Sequence, residues 1–322
     1  MKYLAALLIA LLLTTTAEAP KGSIAFNRNG KILLIDAATG VETELVAKND
    51  YDRPLAWLPA GDRLIYWNHD GGAWDLWAVD PKTKETANLT KSASDNRSAS
   101  GSPDGKSIAF MRGGDGLWIM DADGKNRTRL DRRGHRDAPP AWSPTGKRLA
   151  LVDLASGPND SSTLTTLVLD LDGRKATAVR DLGAGEAAFF LDDARLVLAA
   201  AHEGAQELVV VDLEKGTRNA LTKSVASDRD AVLSPDRKSI AWIESTKKGS
   251  TLKIMAADGT GARELAPVHS LYAPPTFSPD GRHIAYESGP SRTTLQIYVV
   301  PTSGGPPSAL TKDGGSFPTW RP

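Results

Sequence analysis

The sequence predicts an all-β chain folded as a seven-bladed β-propeller of four-stranded antiparallel blades, closed by one blade that the two chain ends share. Three observations carry this expectation: a short motif that recurs with a period in the forties, four strand-like segments per repeat, and incomplete repeats at both ends.

The motif is clearest in Ser102-Pro-Asp-Gly-Lys-Ser-Ile-Ala-Phe110, Ser143-Pro-Thr-Gly-Lys-Arg-Leu-Ala-Leu151 and Ser278-Pro-Asp-Gly-Arg-His-Ile-Ala-Tyr286. Looser copies are Ser234 to Trp242, Leu58 to Tyr66 and the degenerate Leu191 to Leu198. The central residues of the apolar triplets are Ala25, Ile65, Ala109, Ala150, Val197, Ala241 and Ala285, spaced by 40, 44, 41, 47, 44 and 44. A six-bladed reading is less favoured, because skipping the degenerate copy would leave a structureless loop of ~45 residues.

Within each unit an inner strand ends at a bulky residue, as at Trp57, Trp142, Phe190, Leu233 and Phe277. The Ser-Pro-Asp-Gly turn follows: Pro presets φ, Asp bonds local backbone, and Gly takes the left-handed position. The Ile-Ala-Phe strand comes next. A third strand then ends near Asp, as in Leu117 to Asp121 and Leu208 to Asp212. The outer strand often closes on Leu-Thr, at Leu89-Thr90, Leu221-Thr222 and Leu310-Thr311. Pro318 to Pro322 reads as an inner strand with nothing after it, and Gly22 to Phe26 as a second strand with no inner strand before it. Joined, they complete one blade and remove an exposed sheet edge.

Residues 1–19 read as a cleavable signal peptide: Lys2, the apolar run Leu4 to Leu13, and Ala17-Glu18-Ala19 as the processing site. The run is too short for a membrane-spanning helix, which takes ~20 residues. Residues 20–322 are then a single propeller domain, placed in the periplasm or the medium. The chain has no Cys, so it forms no disulfide and is not lipid-anchored. With 39 basic and 39 acidic residues and no basic run, nucleic-acid binding is not expected.

The recurring aromatic-Ser-Pro-Asp-Gly-x-x-Ile-Ala-Phe, with its later apolar strand and Leu-Thr, resembles the propeller repeats of the TolB family. It is similar to repeats of the tricorn protease and of the prolyl oligopeptidase and dipeptidyl peptidase group. The TolB resemblance implies a periplasmic protein-binding propeller linked to envelope organisation. TolB carries an α/β domain before a six-bladed propeller, and the peptidases carry an α/β-hydrolase domain. The repeats here fill residues 20–322, so a propeller without either domain is expected.

The sequence holds no G-x-S-x-G nucleophile elbow. Gly101 to Ser107 looks like a phosphate loop, but its glycines are one residue too close and it is one of the repeated β-turns. Asp121-Ala-Asp123-Gly124 is a hairpin turn without the later ligands of a calcium loop. Histidines 69, 135, 202, 269 and 283 show no metal-like pairing; His283 reads as structural or solvent-facing, and His135 and His269 fall in loops before inner strands. Trp57, Trp142, Trp320, Trp77 and Trp118 are expected in core packing.

One constellation remains. Five residues before the bulky inner-strand position stand Gly315, Asp52, Asn96, Asp137, Gly185, Asp228 and Tyr272. One residue later come Ser316, Arg53, Arg97, Ala138, Glu186, Arg229 and Ala273, and Arg136 adjoins Asp137. Equivalent positions converge on one mouth of a propeller channel, opposite the Ser-Pro-Asp-Gly turns. Asp52, Arg53, Asn96, Arg97, Arg136, Asp137, Asp228, Arg229 and Tyr272 therefore form a candidate rim that either latches blades or binds a partner. The leading expectation is a noncatalytic, monomeric module that binds a protein or peptide of the cell envelope. It needs no cofactor, though weak calcium at the rim fits the carboxylates. The alternative is a metal-assisted lyase or hydrolase using Asp52, Asp137 and Asp228.

Overall fold

A computed structural model describes residues 18–47, 53–69, 72–134, 138–156, 162–202, 205–269, 273–291 and 294–322. Most of the expected signal peptide, residues 1–17, lies outside them. The described residues form seven four-stranded antiparallel sheets and no α-helix, hence no helix long and apolar enough to cross a membrane.

Blade 1 contains β1 (Ser23–Arg28), β2 (Lys31–Asp36) and β3 (Glu42–Val46). Blade 2 contains β4 (Arg53–Trp57), β5 (Leu64–His69), β6 (Trp74–Val79) and β7 (Thr86–Asn88). Blade 3 contains β8 (Asn96–Gly101), β9 (Ser107–Arg112), β10 (Gly116–Asp121) and β11 (Thr128–Asp131). Blade 4 contains β12 (Ala141–Trp142), β13 (Arg148–Ser156), β14 (Ser162–Asp172) and β15 (Lys175–Ala184). Blade 5 contains β16 (Glu186–Phe190), β17 (Arg195–His202), β18 (Ala205–Asp212) and β19 (Arg218–Ala220). Blade 6 contains β20 (Ser227–Leu233), β21 (Ser239–Thr246), β22 (Gly249–Ala256) and β23 (Arg263–Val268). Blade 7 contains β24 (Thr276–Phe277), β25 (His283–Ser288), β26 (Gln296–Pro301) and β27 (Ser308–Ala309).

The last strand, β28 (Ser316–Trp320), pairs antiparallel with β1 and completes blade 1, so the ring closes as the two incomplete repeats require. The pairing sets Trp320 opposite Ile24 and Thr319 opposite Ala25. Trp320 is buried among Ile24, Phe26, Ile35 and Ile297, and its indole N–H donates to Lys21 O at 3.0 Å.

The cores lie between blades, because each sheet presents apolar side chains on both faces and meets a neighbour on each. Ala25 and Ile32 of blade 1 pack on Trp57, Leu64 and Tyr66 of blade 2. Leu149 and Leu167 of blade 4 likewise pack on Ala109 and Met111 of blade 3. Polar side chains add stitches across the same seams. The indole N–H of Trp57 donates to Thr319 O at 3.2 Å and that of Trp142 to Ser100 O at 3.3 Å, each in the preceding inner strand. Arginines clamp carbonyls of adjacent blades, as Arg63 does Ala122 O at 2.9 Å and Arg180 does Leu213 O at 2.9 Å.

The Ser-Pro-Asp-Gly turns have the expected chemistry. The hydroxyls of Ser102, Ser234 and Ser278 donate to Asp104, Asp236 and Asp280 at 2.6 Å in each case, and accept the backbone N–H five residues on. Gly105, Gly146 and Gly281 take φ of 69°, 72° and 70° there. In length, the two middle strands are 6 residues each in blades 1, 2, 3 and 7. They lengthen to 9 and 11 in blade 4, and to 8 in blades 5 and 6.

Candidate functional site

The segments entering the inner strands meet at the mouth opposite the Ser-Pro-Asp-Gly turns, and a local backbone device sorts their side chains. Ser98, Asp230 and Phe317 occupy one repeat position, three residues before the bulky residue, and have φ of 50°, 53° and 55°. Inner-strand pairing shifts register there in blades 1, 2, 3, 5 and 6. A β-bulge adds a residue and re-aims the side chains before it. Blades 4 and 7 have Pro139-Pro140 and Pro274-Pro275 at this place instead. Proline supplies no N–H to a ladder, which accounts for inner strands of only two residues, β12 and β24.

Consequently the two candidate rim positions have different environments. The first is turned into the blade: Asn96 and Asp228 are 1% and 0% exposed. In blade 1 the position is Gly315, where a Cβ would come within 2.9 Å of Ile297 and 3.1 Å of Phe26. The second is at the surface, with Arg97 and Arg229 half-buried and Glu186 exposed. Asp52, Arg136, Asp137 and Tyr272 lie outside the described residues, and Arg53 is placed by its backbone in β4.

Asn96 and Asp228 make latching bonds. The Asn96 amide donates to Ser94 O at 2.7 Å and reaches Asp75 of blade 2 at 3.4 Å. Asp228 accepts the Trp242 indole N–H at 2.9 Å. Burial pushes its carboxyl above the usual range, against hydrogen bonds from Thr222 and Trp242 that favour the ionised form.

The Leu-Thr ending explains part of this network. Thr90, Thr222 and Thr311 accept the N–H of Leu76, Leu208 and Ile297 at 2.9, 3.0 and 3.0 Å. Beside them Asp75, Glu207 and Gln296 accept N–H groups of the loop leading to the next blade, from Ser92, Ser224 and Gly314. The sequence shows the threonines as a pattern; their partners emerge only when the third strand is paired.

Arg97 has the most developed surroundings. Its guanidinium lies 5.4 Å from the Trp67 ring centre and 5.1 Å from that of Trp74, and its Nη2 bonds Asp95 at 3.3 Å. Asp95 also accepts the Trp74 backbone N–H at 3.1 Å, and exposed His69 packs on Trp74 at 5.1 Å. Trp67, Trp74 and Asp95 were not legible as rim residues, since they follow no repeat position. Arg229 contacts Asp230 on the bulge, and behind it Lys253 pairs with Glu244 at 3.0 Å.

His283 is buried and structural, His269 is exposed after β23, and His135 lies outside the described residues. Trp57 and Trp320 are core residues as expected, but Trp142 is half-buried and lines a channel cavity. It still packs on the core between blades 3 and 4, and its indole bond to Ser100 O crosses that seam, so the expected packing holds with one edge of the ring open to the channel. Among the described residues, no three His, Asp or Glu side chains gather in a metal-binding group.

Residues 114–252 match the TolB beta propeller domain family. The chain is a TolB-like propeller. It resembles TolB from Acinetobacter baumannii, at 17% identity and a TM-score of 0.59, over 94% of this chain and 67% of that one. It also shares its fold with an oligogalacturonate lyase solved in complex with manganese, at 12% identity and a TM-score of 0.67, over 90% of this chain and 85% of that one. A segment of 66 residues, 20% of the TolB-like chain, is 46% identical to tricorn protease homolog 2 of Streptomyces coelicolor. The chain spans 6% and 53% of the lengths of the two curated relatives it matches.

Proposed function

We propose that this TolB-like chain is an exported, monomeric, noncatalytic binding module whose rim takes a protein or peptide of the cell envelope. The observation that carries this reading is the setting of Arg97. A guanidinium packed against two tryptophans that also touch each other, and braced by a carboxylate, has lost rotamer freedom before a partner arrives, so binding costs less ordering entropy. Planar, charge-assisted donation suits peptide carbonyls and carboxylates, and partly exposed Trp beside Arg is typical of binding hot spots. Arg229 continues the donor positions, and Asp52, Arg53, Arg136, Asp137 and Tyr272 are assigned to the rim by their repeat positions in the sequence. Asn96 and Asp228 support it from beneath.

The test begins with crosslinking and capture of a partner from the native envelope. The affinity and melting of Arg97→Ala and Arg229→Ala are then measured against the purified partner. Each substitution is expected to weaken binding by ~1–3 kcal/mol, as lost hydrogen bonds to charged groups do, with little change in melting. Lowered melting at unchanged affinity would leave these side chains as blade latches and remove the site assignment.

A second reading, a metal-assisted lyase or hydrolase, is favoured by the fold shared with the manganese-bearing lyase. It calls on Asp52, Asp137 and Asp228 as oxygen donors. Of these, Asp52 and Asp137 lie outside the described residues, and Asp228 is buried beneath the mouth.

A further inference from the structure

At the other end of the channel, where the inner strands of blades 4 to 7 finish, there is a cavity of about 510 Å³. Trp142, Phe189, Leu233 and Phe277 are among its lining residues, polar and apolar surface share the wall about equally, and Arg237 is its one charged residue. The volume falls within the ~300–1,000 Å³ of small-molecule sites, which are largely apolar with a few placed polar groups.

Arg237 departs from its own repeat. It occupies the turn position that is Gly61, Gly105, Gly146 and Gly281 in other blades, and it keeps their left-handed backbone at φ 62°. A side chain disfavours that conformation, so turn geometry gives no reason for arginine here. Its guanidinium is fixed by donating to Phe190 O at 2.6 Å and to Leu191 O at 2.8 Å. Among the described residues no carboxylate forms an ion pair with it, and like Arg63 and Arg180 it clamps carbonyls of the adjacent blade. The cavity wall thus carries a positioned cation without a paired carboxylate among the described residues. A second departure adjoins it: Leu233 stands where blades 1, 2 and 4 have Trp320, Trp57 and Trp142, and the smaller side chain leaves space.

We infer that this cavity binds a small amphipathic anion, with an apolar, ring-sized body among the aromatic side chains and its anionic group at Arg237. The site is at the opposite mouth from the proposed partner rim and stands independently of it.

The test uses the full mature chain and isothermal titration with two probes of like shape and opposite charge, naphthalene-2-sulfonate and 2-naphthylmethylammonium. The sulfonate is expected to bind saturably, one per chain, at least about tenfold more tightly than the ammonium, the size of one charge-assisted hydrogen bond. Arg237→Gly restores the common turn residue but removes the bonds to Phe190 O and Leu191 O; in variant protein whose melting shows it folded, it should abolish that preference. Leu233→Trp, which restores the common inner-strand residue, should fill the cavity and reduce binding of both probes. Absence of saturable binding, equal affinity for both charges, or undiminished binding to Leu233→Trp would each overturn the assignment.

Discussion

Trp320 and Trp142 occupy the same repeat position, so truncating each to alanine isolates what position in the ring contributes. Trp320 is 4% exposed, packs in the seam between blades 7 and 1, and anchors the chain near its start through Lys21 O. Removing a fully packed tryptophan costs ~3–5 kcal/mol, transfer and cavity effects together. Trp142 is half-buried and already borders an open cavity, so its loss creates no new closed void. The transfer part alone gives about 1–2 kcal/mol. With an unfolding entropy of ~2.1 cal/mol/K per residue, a chain of about 300 residues loses roughly 1.6 °C of Tm per kcal/mol. Melting followed by far-ultraviolet circular dichroism should therefore fall by about 5–8 °C for Trp320→Ala and about 2–3 °C for Trp142→Ala. Equal shifts would refute the claim that the closing seam makes the difference. A fall under about 2 °C for Trp320→Ala would mean that closure does not depend on its packing.

Three further outcomes are expected. Asp228→Asn keeps the acceptor for Trp242 but removes the ionisation; because the folded carboxyl titrates above its unfolded value, wild-type stability declines as pH rises through that range. The variant should gain stability over wild type from acid to neutral pH in urea titrations, and a constant difference would contradict the burial argument. Asp104 and Asp236 are held below the usual range by the hydroxyls of Ser102 and Ser234, then by the N–H groups of Lys106 and Lys238. Their contribution is complete above the unfolded pKa and lost as pH falls through the folded one, so replacing both with Asn should flatten the acid limb of the stability curve. Elemental analysis after dialysis is expected to find no stoichiometric transition metal, and at most calcium that a chelator removes. One manganese or zinc retained per chain would move the rim carboxylates to the lyase or hydrolase reading.

The ring was legible because its determinants are local and repeated. Each Ser-Pro-Asp-Gly turn states its own geometry, and the broken repeats at Gly22 and Trp320 can be joined in only one way. The rim was legible as positions but not as roles. Asn96 and Arg97 are neighbours in sequence, yet one is turned into the blade and the other lies against Trp67 and Trp74. Strand alternation puts them on opposite faces, and the irregularity that follows at Ser98 is a backbone state that serine does not announce. The cavity was less legible still. Its two distinguishing residues, Leu233 and Arg237, are departures from the pattern, which a search for likeness between repeats passes over as noise.

The unequal middle strands have a consequence for recognition. A ring of seven matching units would offer a partner seven equivalent ways to dock, differing only by a turn about the channel axis. The hairpins of blades 4, 5 and 6 are longer than the others and rise beside the mouth that carries Arg97 and Arg229. Their added length breaks the sevenfold likeness of that face. The seven rotational settings about the channel axis are therefore not alike, so a fold built by repetition acquires a heading.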